Sequence, residues 1–453
     1  MIYSGCATAP KQIKPDPQPQ ITSTSSFIKT STLYGFKVHR YVLGNGLKIL
    51  ILEDHSNPVF AYQTWFNVGS KDEKKGKTGL AHLFEHMMFK KTKNHPDGFY
   101  FKKLESIGAE GINAFTGKDY TAYIQSLPAG NSDQRKFSLQ IVAELESNRM
   151  QNLVLDELAL KTELEVVQNE RRLRLENNPD GKLYEKLHEV SFEKHSYHWP
   201  VIGYEKDLNQ TTPADCTEFY DKHYSPNNAT IVVSGDVDPN ETVSVIEKYY
   251  GSISPYLGNQ DEKTLEPKQL SQRKKTISIP GSVQKVFISY HIPEFFHEDT
   301  SSLLVLRSLL SLGKSSVLYD NLVDPGIASS VAVDLSSSKD PGLLMIYVTL
   351  QTGQSVEHCI RIIDREIKKL IKAVPTEDIT RAVSQLKLEQ MTELQSNYQK
   401  AIFLGSYESV TTDFENGIEI FSKAEKITPQ EISKSATKYL TSSNRTIVIG
   451  KIK

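Results

Sequence analysis

A stretch without helical or strand periodicity divides this chain of 453 residues into two segments of similar pattern. Residues 252–275 contain Pro255, Gly258 and Pro267 among many charged side chains, a composition typical of a linker. On both sides of it, short β-rich runs alternate with longer runs of helical spacing. The pattern predicts an α+β protein of two tandem, similar α/β domains, each an antiparallel sheet with helices packed on one face.

The composition is that of an ordinary globular protein. The predicted domains cover residues 31–251 and 276–453, and both are long enough to bury a sizeable core. Hydrophobic residues make up 38% of the chain and charged residues 24%. The formal net charge of −2 predicts no basic surface for nucleic acid, and the sequence has no long apolar run that predicts a transmembrane segment.

The first 30 residues differ in composition from the rest. A Pro- and Gln-rich stretch and then a Ser/Thr-rich one contain too little apolar surface to order themselves, which predicts a flexible tether over residues 1–30. Ser4-Gly5-Cys6 resembles the end of a bacterial lipoprotein signal, although no basic or apolar signal region precedes it. A lipid anchor at Cys6 implies the bacterial periplasm or cell envelope. The alternative is an unmodified Cys6 and a location in the cytoplasm or the mitochondrial matrix.

Residues 82–86 have the sequence His-Leu-Phe-Glu-His, inside a segment of helical spacing for which Thr78 is the predicted N-cap. Histidines four positions apart on a helix leave the same face and can share one metal ion. Glu85 lies near that face, where it can accept a proton from a water that the metal activates. The motif is the reverse of the common zinc-protease motif and predicts a zinc peptidase. The alternative is two solvated histidines on an amphipathic helix.

A catalytic zinc site needs a third protein ligand and one open position. The helix predicted over residues 156–176 offers Glu163, Glu165 and Glu170, of which Glu163 and Glu170 lie two turns apart on one face. Val166 and Val167 stand between them in the sequence. A carboxylate buried beside that apolar pair needs a strong partner, and a metal ion is one.

The motifs resemble those of the pitrilysin/insulinase (M16) family of metallopeptidases, in the short branch that includes mitochondrial processing peptidase. In that family His-x-x-Glu-His is followed by a helix of the type Glu-x-x-Val-Val-x-x-Glu, which residues 163–170 match. Further matching runs are Gly79-Leu80-Ala81, Asn113-Ala114-Phe115-Thr116, Tyr224-Ser225-Pro226-Asn227-Asn228 and Ser234-Gly235-Asp236-Val237. The resemblance covers most of the chain and is strongest in its first half.

The resemblance implies that His82, His86 and Glu170 bind one zinc ion per chain and that Glu85 is the general base. Glu163 would then support catalysis by orienting a ligand or tuning the site. The number of residues that usually separates the second histidine from the ligand in this family favours Glu163. In the family, however, the ligand is the last glutamate of the helical run, and that position favours Glu170. We prefer Glu170 because loops tolerate insertions and a helical face does not.

Asn113, Ala114 and Phe115 resemble the edge strand to which family members bind a peptide by strand addition. Backbone pairing of this kind gives affinity with little dependence on the peptide's sequence. The alternative is that these residues form an ordinary interior strand.

The resemblance also implies a partner, because active members close two halves of a clamshell around a peptide and this chain corresponds to one half. The other half usually supplies an arginine and a tyrosine from a Leu-Arg-x-x-x-Gly-Leu-Ala-Tyr run. Here the nearest run, residues 322–329, has Val323 and Ser329 near those positions. Loss of one oxyanion donor costs on the order of 100- to 1000-fold in rate. We therefore expect a heterodimer with a paralogue that lacks His-x-x-Glu-His but carries the Arg/Tyr pair. The alternative function is a non-catalytic assembly or binding subunit.

Overall fold

A computed structural model describes residues 24–259 and 263–452 of the chain. The predicted lipid anchor at Cys6 and most of the predicted tether lie outside the described residues. The prediction of a tether through residue 30 is wrong for residues 26–30, which lie in the first strand, β1 (Ser26–Leu33). This strand is ordered because it forms an antiparallel hairpin with β2 (Phe36–Val42), so that its backbone groups are paired in spite of its polar composition.

The first half of the chain, residues 24–259, supplies one sheet and the helices around it. The strands that follow β2 are β3 (Lys48–Glu53), β4 (Val59–Phe66), β5 (Glu110–Thr116), β6 (Thr121–Pro128) and β7 (Ala229–Gly235). The helices are α1 (Leu80–Met87), α2 (Phe99–Ser106), α3 (Ser132–Asn152), α4 (Glu157–Arg171), α5 (Pro179–Ser191), α6 (Glu205–Leu208), α7 (Pro213–His223) and α8 (Pro239–Tyr250). A π-helical turn, Arg172–Glu176, continues α4.

The second half, residues 263–452, supplies the other sheet. Its strands are β8 (Arg273–Ile279), β9 (Lys285–His291), β10 (Ala328–Leu335), β11 (Leu343–Leu350) and β12 (Arg445–Ile452). Its helices are α9 (Thr300–Ser311), α10 (Val356–Lys372), α11 (Thr376–Glu393), α12 (Asn397–Thr411), α13 (Phe414–Ala424) and α14 (Pro429–Tyr439). Because β8 begins at Arg273, the last three residues of the predicted linker belong to this sheet.

The two sheets share one strand order, which confirms the prediction of two tandem, similar units. The first sheet has the order β1-β2-β3-β7-β4-β6-β5 and the second the order β10-β11-β9-β12-β8. In both, a parallel pair (β3 with β7, β8 with β12) is followed by three antiparallel strands. The prediction of antiparallel sheets is therefore wrong for one pair in each sheet. Parallel neighbours need a long connection, and residues 54–228 and 280–444 provide it.

Each sheet has helices on both faces, so the prediction of helices on one face is also wrong. Helix α12 of the second half packs on β4 and β7, whereas α5 of the first half packs on β8, β9 and β12. The physical reason is visible in β3, whose four central residues, 49–52, are all buried. A strand with apolar side chains on both faces requires two covering layers. This exchange of helices joins the two halves in one hydrophobic core.

Among the described residues, no helix combines the length and the apolar character needed to cross a bilayer.

Candidate active site

Helix α1 contains the two histidines. A glycine precedes its first residue, and a buried carboxylate binds the N–H groups at its start. Gly79 has a φ of 96°, and backbone of a neighbouring loop leaves no room for a side chain there. Glu73 accepts hydrogen bonds from the N–H groups of Gly79 (2.8 Å) and Ala81 (2.9 Å). Burial raises the pKa of Glu73 well above its ordinary range. The prediction of Thr78 as N-cap is wrong, because its hydroxyl donates to Asp207 instead (2.7 Å).

Three potential zinc ligands converge where α1 packs against α4. Glu170 Oε2 lies 3.6 Å from His82 Nε2 and 3.4 Å from His86 Nε2, and the three ligand atoms lie within 4.8 Å of one another. Zinc bonds of about 2.0–2.2 Å place neighbouring ligand atoms of a tetrahedral site roughly 3.3–3.5 Å apart. Two imidazoles and one carboxylate of this spacing therefore fit a zinc ion. No other group of three His, Cys, Asp or Glu side chains converges in this way within residues 24–259 and 263–452.

The protonation of these groups reflects burial and their mutual contacts. Burial lowers the pKa of His82 to about 4, which leaves the imidazole neutral and able to bind a metal. Burial also lowers the pKa of His86, but the carboxylates of Glu163 and Glu170 outweigh it and raise the value to about 9. The contact with His86 holds the pKa of Glu170 below its usual range.

Glu163 contacts the other nitrogen of the His86 ring. Its Oε2 lies 3.4 Å from His86 Nδ1, and its Oε1 lies 2.6 Å from Lys90 Nζ. A carboxylate beside the outer nitrogen of a histidine ligand fixes the tautomer and the orientation of the ring. Of the two candidate ligands, the structure therefore brings Glu170 to both Nε2 atoms and places Glu163 behind His86.

The second oxygen of Glu170 has a partner that the sequence analysis missed. Arg174, in the π-helical turn after α4, lies with its Nη2 2.9 Å from Glu170 Oε1. This contact leaves Oε2 facing the imidazoles. The signal was present, because a Glu–Arg pair four positions apart faces one side of a helix. Lys90 follows His86 by the same spacing, and it was missed as well.

Glu85 lies on the side of α1 that faces β5. Its Oε2 accepts a hydrogen bond from the hydroxyl of Thr116, the last residue of β5, at 2.6 Å. Burial raises the pKa of Glu85, and the bond from Thr116 opposes this only in part. A carboxylate with a raised pKa is a better proton acceptor at neutral pH, which suits the general base predicted for this position. Thr116 belongs to a motif noted in the sequence, but its contact with Glu85 was not predicted.

A cleft of about 510 Å³ opens beside Glu85 and His86. The rings of Phe89 and Phe101 line it and stack on each other with their centroids 4.9 Å apart. The cleft therefore places an apolar surface next to the group that would transfer protons.

The predicted peptide-binding residues lie on β5, which forms the edge of the first sheet. The alternative of an interior strand is thus wrong. Asn113 and Ala114 line the cleft. Phe115 does not line the cleft, and its ring packs against Trp65 instead (centroids 5.4 Å apart).

Val323 and Ser329, predicted near the places of an Arg/Tyr pair, lie in the second half, Val323 in the segment that precedes β10 and Ser329 at the start of that strand. Val323 ends a π-helical turn and packs on the hydrophobic core. Ser329 is exposed, and its hydroxyl donates to the carbonyl oxygen of Thr349 (3.2 Å). Neither side chain provides a strong donor for a substrate.

Comparison with known proteins yields relatives along most of the chain. Residues 48–204 match the profile described as insulinase (peptidase family M16), and residues 210–386 match the peptidase M16 inactive domain. Zinc protease PqqE of Helicobacter pylori is 31% identical over 368 residues, which cover 79% of this chain and 80% of that protein. A probable mitochondrial-processing peptidase subunit beta of Arabidopsis thaliana is 22% identical, with 88% of this chain and 75% of that protein covered.

Solved structures show the same architecture. The crystal structure of a protease from Helicobacter pylori superposes with a TM-score of 0.87 at 27% identity, covering 92% of this chain and all 100% of that one. A peptidase M16 inactive domain from Pseudomonas fluorescens gives a TM-score of 0.80 at 17% identity, covering 92% of this chain and 98% of that one. The second similarity concerns the fold alone.

Proposed function

This chain belongs to the M16 (insulinase) family of peptidases, and on that premise we propose that it is a zinc-dependent endopeptidase subunit that hydrolyses peptides or unfolded segments. The observation that carries the proposal is the convergence of His82, His86 and Glu170 beside Glu85, in a cleft bounded by the edge strand β5.

The proposed roles follow from the contacts of each side chain. His82 Nε2, His86 Nε2 and Glu170 Oε2 would hold the zinc ion, and Glu163 keeps the His86 ring in place. A zinc ion bound there supplies Lewis-acid chemistry, polarising the scissile carbonyl and lowering the pKa of a water molecule. Glu85 accepts the proton of the attacking water at Oε1, since Thr116 occupies Oε2, and then donates it to the leaving amine.

The substrate is proposed to bind as an additional strand at β5. The outer backbone groups of an edge strand hydrogen-bond to an extended peptide, which explains a broad tolerance of sequence. Phe89 and Phe101 give the cleft an apolar wall, so we propose that a large apolar side chain next to the scissile bond is favoured. A peptide series that varies this residue tests the preference.

Metal analysis combined with a Glu85→Gln variant tests the proposed function. The substitution preserves shape, so the variant is expected to retain wild-type zinc content and lose roughly 100- to 10,000-fold in kcat. Glu165→Gln, on the exposed face of α4, is the matched control and is expected to leave both unchanged. A wild-type protein that binds no zinc, or a fully active Glu85→Gln variant, contradicts the proposal. Absence of zinc supports the non-catalytic assembly or binding subunit.

We also propose that full activity requires a partner subunit. Val323 and Ser329 offer no Arg/Tyr pair, and the name of one relative describes it as a subunit of a processing peptidase. Adding an M16 paralogue that lacks His-x-x-Glu-His but carries the pair is expected to raise kcat/KM on the order of 100- to 1000-fold. Full activity of the chain alone, unaffected by any such paralogue, contradicts this part of the proposal.

A further inference from the structure

The turn between β5 and β6, residues 117–120, is held by a group of buried and half-buried polar residues from both halves of the chain. We call this group the Asp119 cluster, and its members are Lys71, Asp119, Tyr197, Lys339 and Asp340. The first three belong to the first half. Lys339 and Asp340 belong to the loop of the second half that joins β10 to β11.

Asp119 is the centre of the cluster and is only 4% exposed. Its two carboxylate oxygens accept hydrogen bonds from the Tyr197 hydroxyl at 2.7 and 2.9 Å. Lys71 Nζ lies 2.7 Å from Oδ1, and the backbone N–H of Lys339 donates to Oδ2 at 3.3 Å. A buried carboxylate is stable only when it is well paired, and this one has donors from three separate segments.

Asp340 completes the connection between the halves. The ammonium of Lys71 lies between two carboxylates, 2.7 Å from Asp119 Oδ1 and 2.8 Å from Asp340 Oδ2. The backbone N–H of Asp340 donates to the Tyr197 hydroxyl at 3.2 Å, and its Oδ2 lies 3.6 Å from His195 Nε2. The Lys71 and Asp340 side chains are 13% and 18% exposed, so water screens their pairing only weakly.

The backbone of the turn is fixed as well. The N–H groups of Ser70 and Lys71 donate to the carbonyls of Gly117 (3.2 Å) and Lys118 (3.0 Å). The Lys118 ammonium donates to the carbonyl of Tyr197 at 2.7 Å. Only two residues separate Asp119 from Thr116, whose hydroxyl donates to Glu85. A shift of the turn would therefore move both the edge strand and the partner of the proposed base.

From these contacts we infer that Lys339 and Asp340 of the second half are positioning residues for the active site of the first. They hold the β5–β6 hairpin so that the peptide-binding edge and Thr116 meet Glu85. The inference rests on the proposed peptidase function. The described contacts of the Asp119 cluster do not include His82, His86 or Glu170, so the cluster is expected to act on substrate geometry and not on metal binding.

The test compares Lys71→Met, Asp340→Asn and the double variant in the full zinc-loaded chain, with its partner subunit if one is required. Each single variant is expected to lower kcat/KM for a fluorogenic peptide by roughly 10- to 100-fold, since small misplacements are costly. The zinc Kd is expected to stay within about twofold of wild type, because no ligand moves. The double variant is expected to be less impaired than the sum of the two single effects predicts, because both substitutions break the Lys71–Asp340 contact.

Two controls separate positioning from general destabilisation. Lys71→Arg retains a cation and is expected to restore most of the activity. Glu218→Gln removes an exposed ion pair with Lys74 in the same region and is expected to change nothing. Hydrogen exchange of the amides of residues 113–116 is expected to accelerate in Lys71→Met and Asp340→Asn and not in the controls.

Unchanged kcat/KM and unchanged exchange in both single variants would overturn the inference. So would a loss of activity that merely parallels lost zinc or an unfolded fraction measured by circular dichroism. The two proposals fail on different results. A wild-type protein that is inactive with zinc bound contradicts the proposed function. An active wild-type protein whose variants are unaffected contradicts only the positioning role. The exchange measurement reports on the hairpin without any turnover.

Discussion

The α1–α4 pair of the first half and the α9–α11 pair of the second occupy equivalent places in the shared strand order, but they are joined differently. In the first pair, two histidines and Glu170 present three donor atoms to a common point. In the second, the guanidinium of Arg307 on α9 binds both oxygens of Glu389 on α11 at 2.7 Å each. The second pair is joined by a bidentate ion pair between its own side chains, whereas the first directs three potential metal ligands toward one point.

The clefts beside these helix pairs differ accordingly. The second cleft, of about 330 Å³, is lined by Asp334 of β10 and by Glu389, Gln390 and Glu393 of α11. Burial raises the pKa of Asp334 and of Glu393. Among the described residues these acids form no three-ligand group of the kind found at His82. One scaffold thus carries a candidate metal site in one half and an ion pair in the other, so the fold alone does not determine the chemistry.

The largest expected effect comes from removing a ligand of the first pair. Glu170→Gln takes away the carboxylate between the two Nε2 atoms, so zinc affinity is expected to fall by more than the roughly 10- to 100-fold that loss of an outer partner costs. Glu389→Gln is the matched change in the second half and is expected to leave zinc affinity unchanged. Titration against a chromophoric chelator measures both. Equal affinities of Glu170→Gln and wild type would remove Glu170 from the ligand set.

A smaller effect is expected from Glu163→Gln. The amide keeps the size of the side chain but weakens its hold on His86 Nδ1, which is expected to reduce zinc affinity by roughly 10- to 100-fold. The same chelator titration measures it. A loss as large as that of Glu170→Gln would instead identify Glu163 as a direct ligand.

Breaking the ion pair of the second half is expected to affect stability and not the metal. Arg307→Met keeps the apolar stem but leaves Glu389 unpaired in a partly buried site, at a cost of about 1–2 kcal/mol in the free energy of unfolding. Urea unfolding followed by circular dichroism measures this cost. A zinc affinity lowered together with stability would show that the two helix pairs are not independent.

The last expected effect concerns the pH dependence of stability, which differs between the two helix pairs. In the metal-free protein the pKa of His86 is about 9, so folding favours its protonated form, and this stabilisation is lost as the pH rises from 6.5 to 9. The pKa of His82 is about 4, so stability is lost as the pH falls from 6.5 to 4. Unfolding of the zinc-free protein at a series of pH values is expected to give a maximum of stability near pH 6.5 and a decline on either side. His86→Gln is expected to flatten the alkaline side, whereas Arg307→Met leaves the shape unchanged.

Much of the site could be predicted from local spacing. His82, Glu85 and His86 lie within about one helical turn, and Glu163 and Glu170 lie two turns apart on another helix. The spacing alone therefore places the members of each set near one side of their own helix. The choice between Glu163 and Glu170 could not be made in this way. It depends on how α4 lies across α1, and that packing places Glu170 at the Nε2 atoms and Glu163 at Nδ1.

The errors in the predicted fold have a common cause. The expectation of sheets covered on one face treated each half as an independent unit, whereas α5 and α12 each cover the sheet of the other half. Residues 26–30 were predicted to be too polar to be ordered, but their strand forms backbone hydrogen bonds with β2. Pairing partners far apart in sequence cannot be inferred from a local window of composition.

The sequence by itself determined the residue types of the metal site, the helices that carry them and the repeated strand–helix pattern, because these depend on spacings of a few residues. Only the tertiary structure decided which glutamate faces the histidines, that Phe115 turns away from the cleft and that Asp340 reaches Lys71 beneath the edge strand. These contacts join segments up to 269 positions apart in the chain. Side chains so distant meet only when both sheets, and the helices exchanged between them, pack around one core.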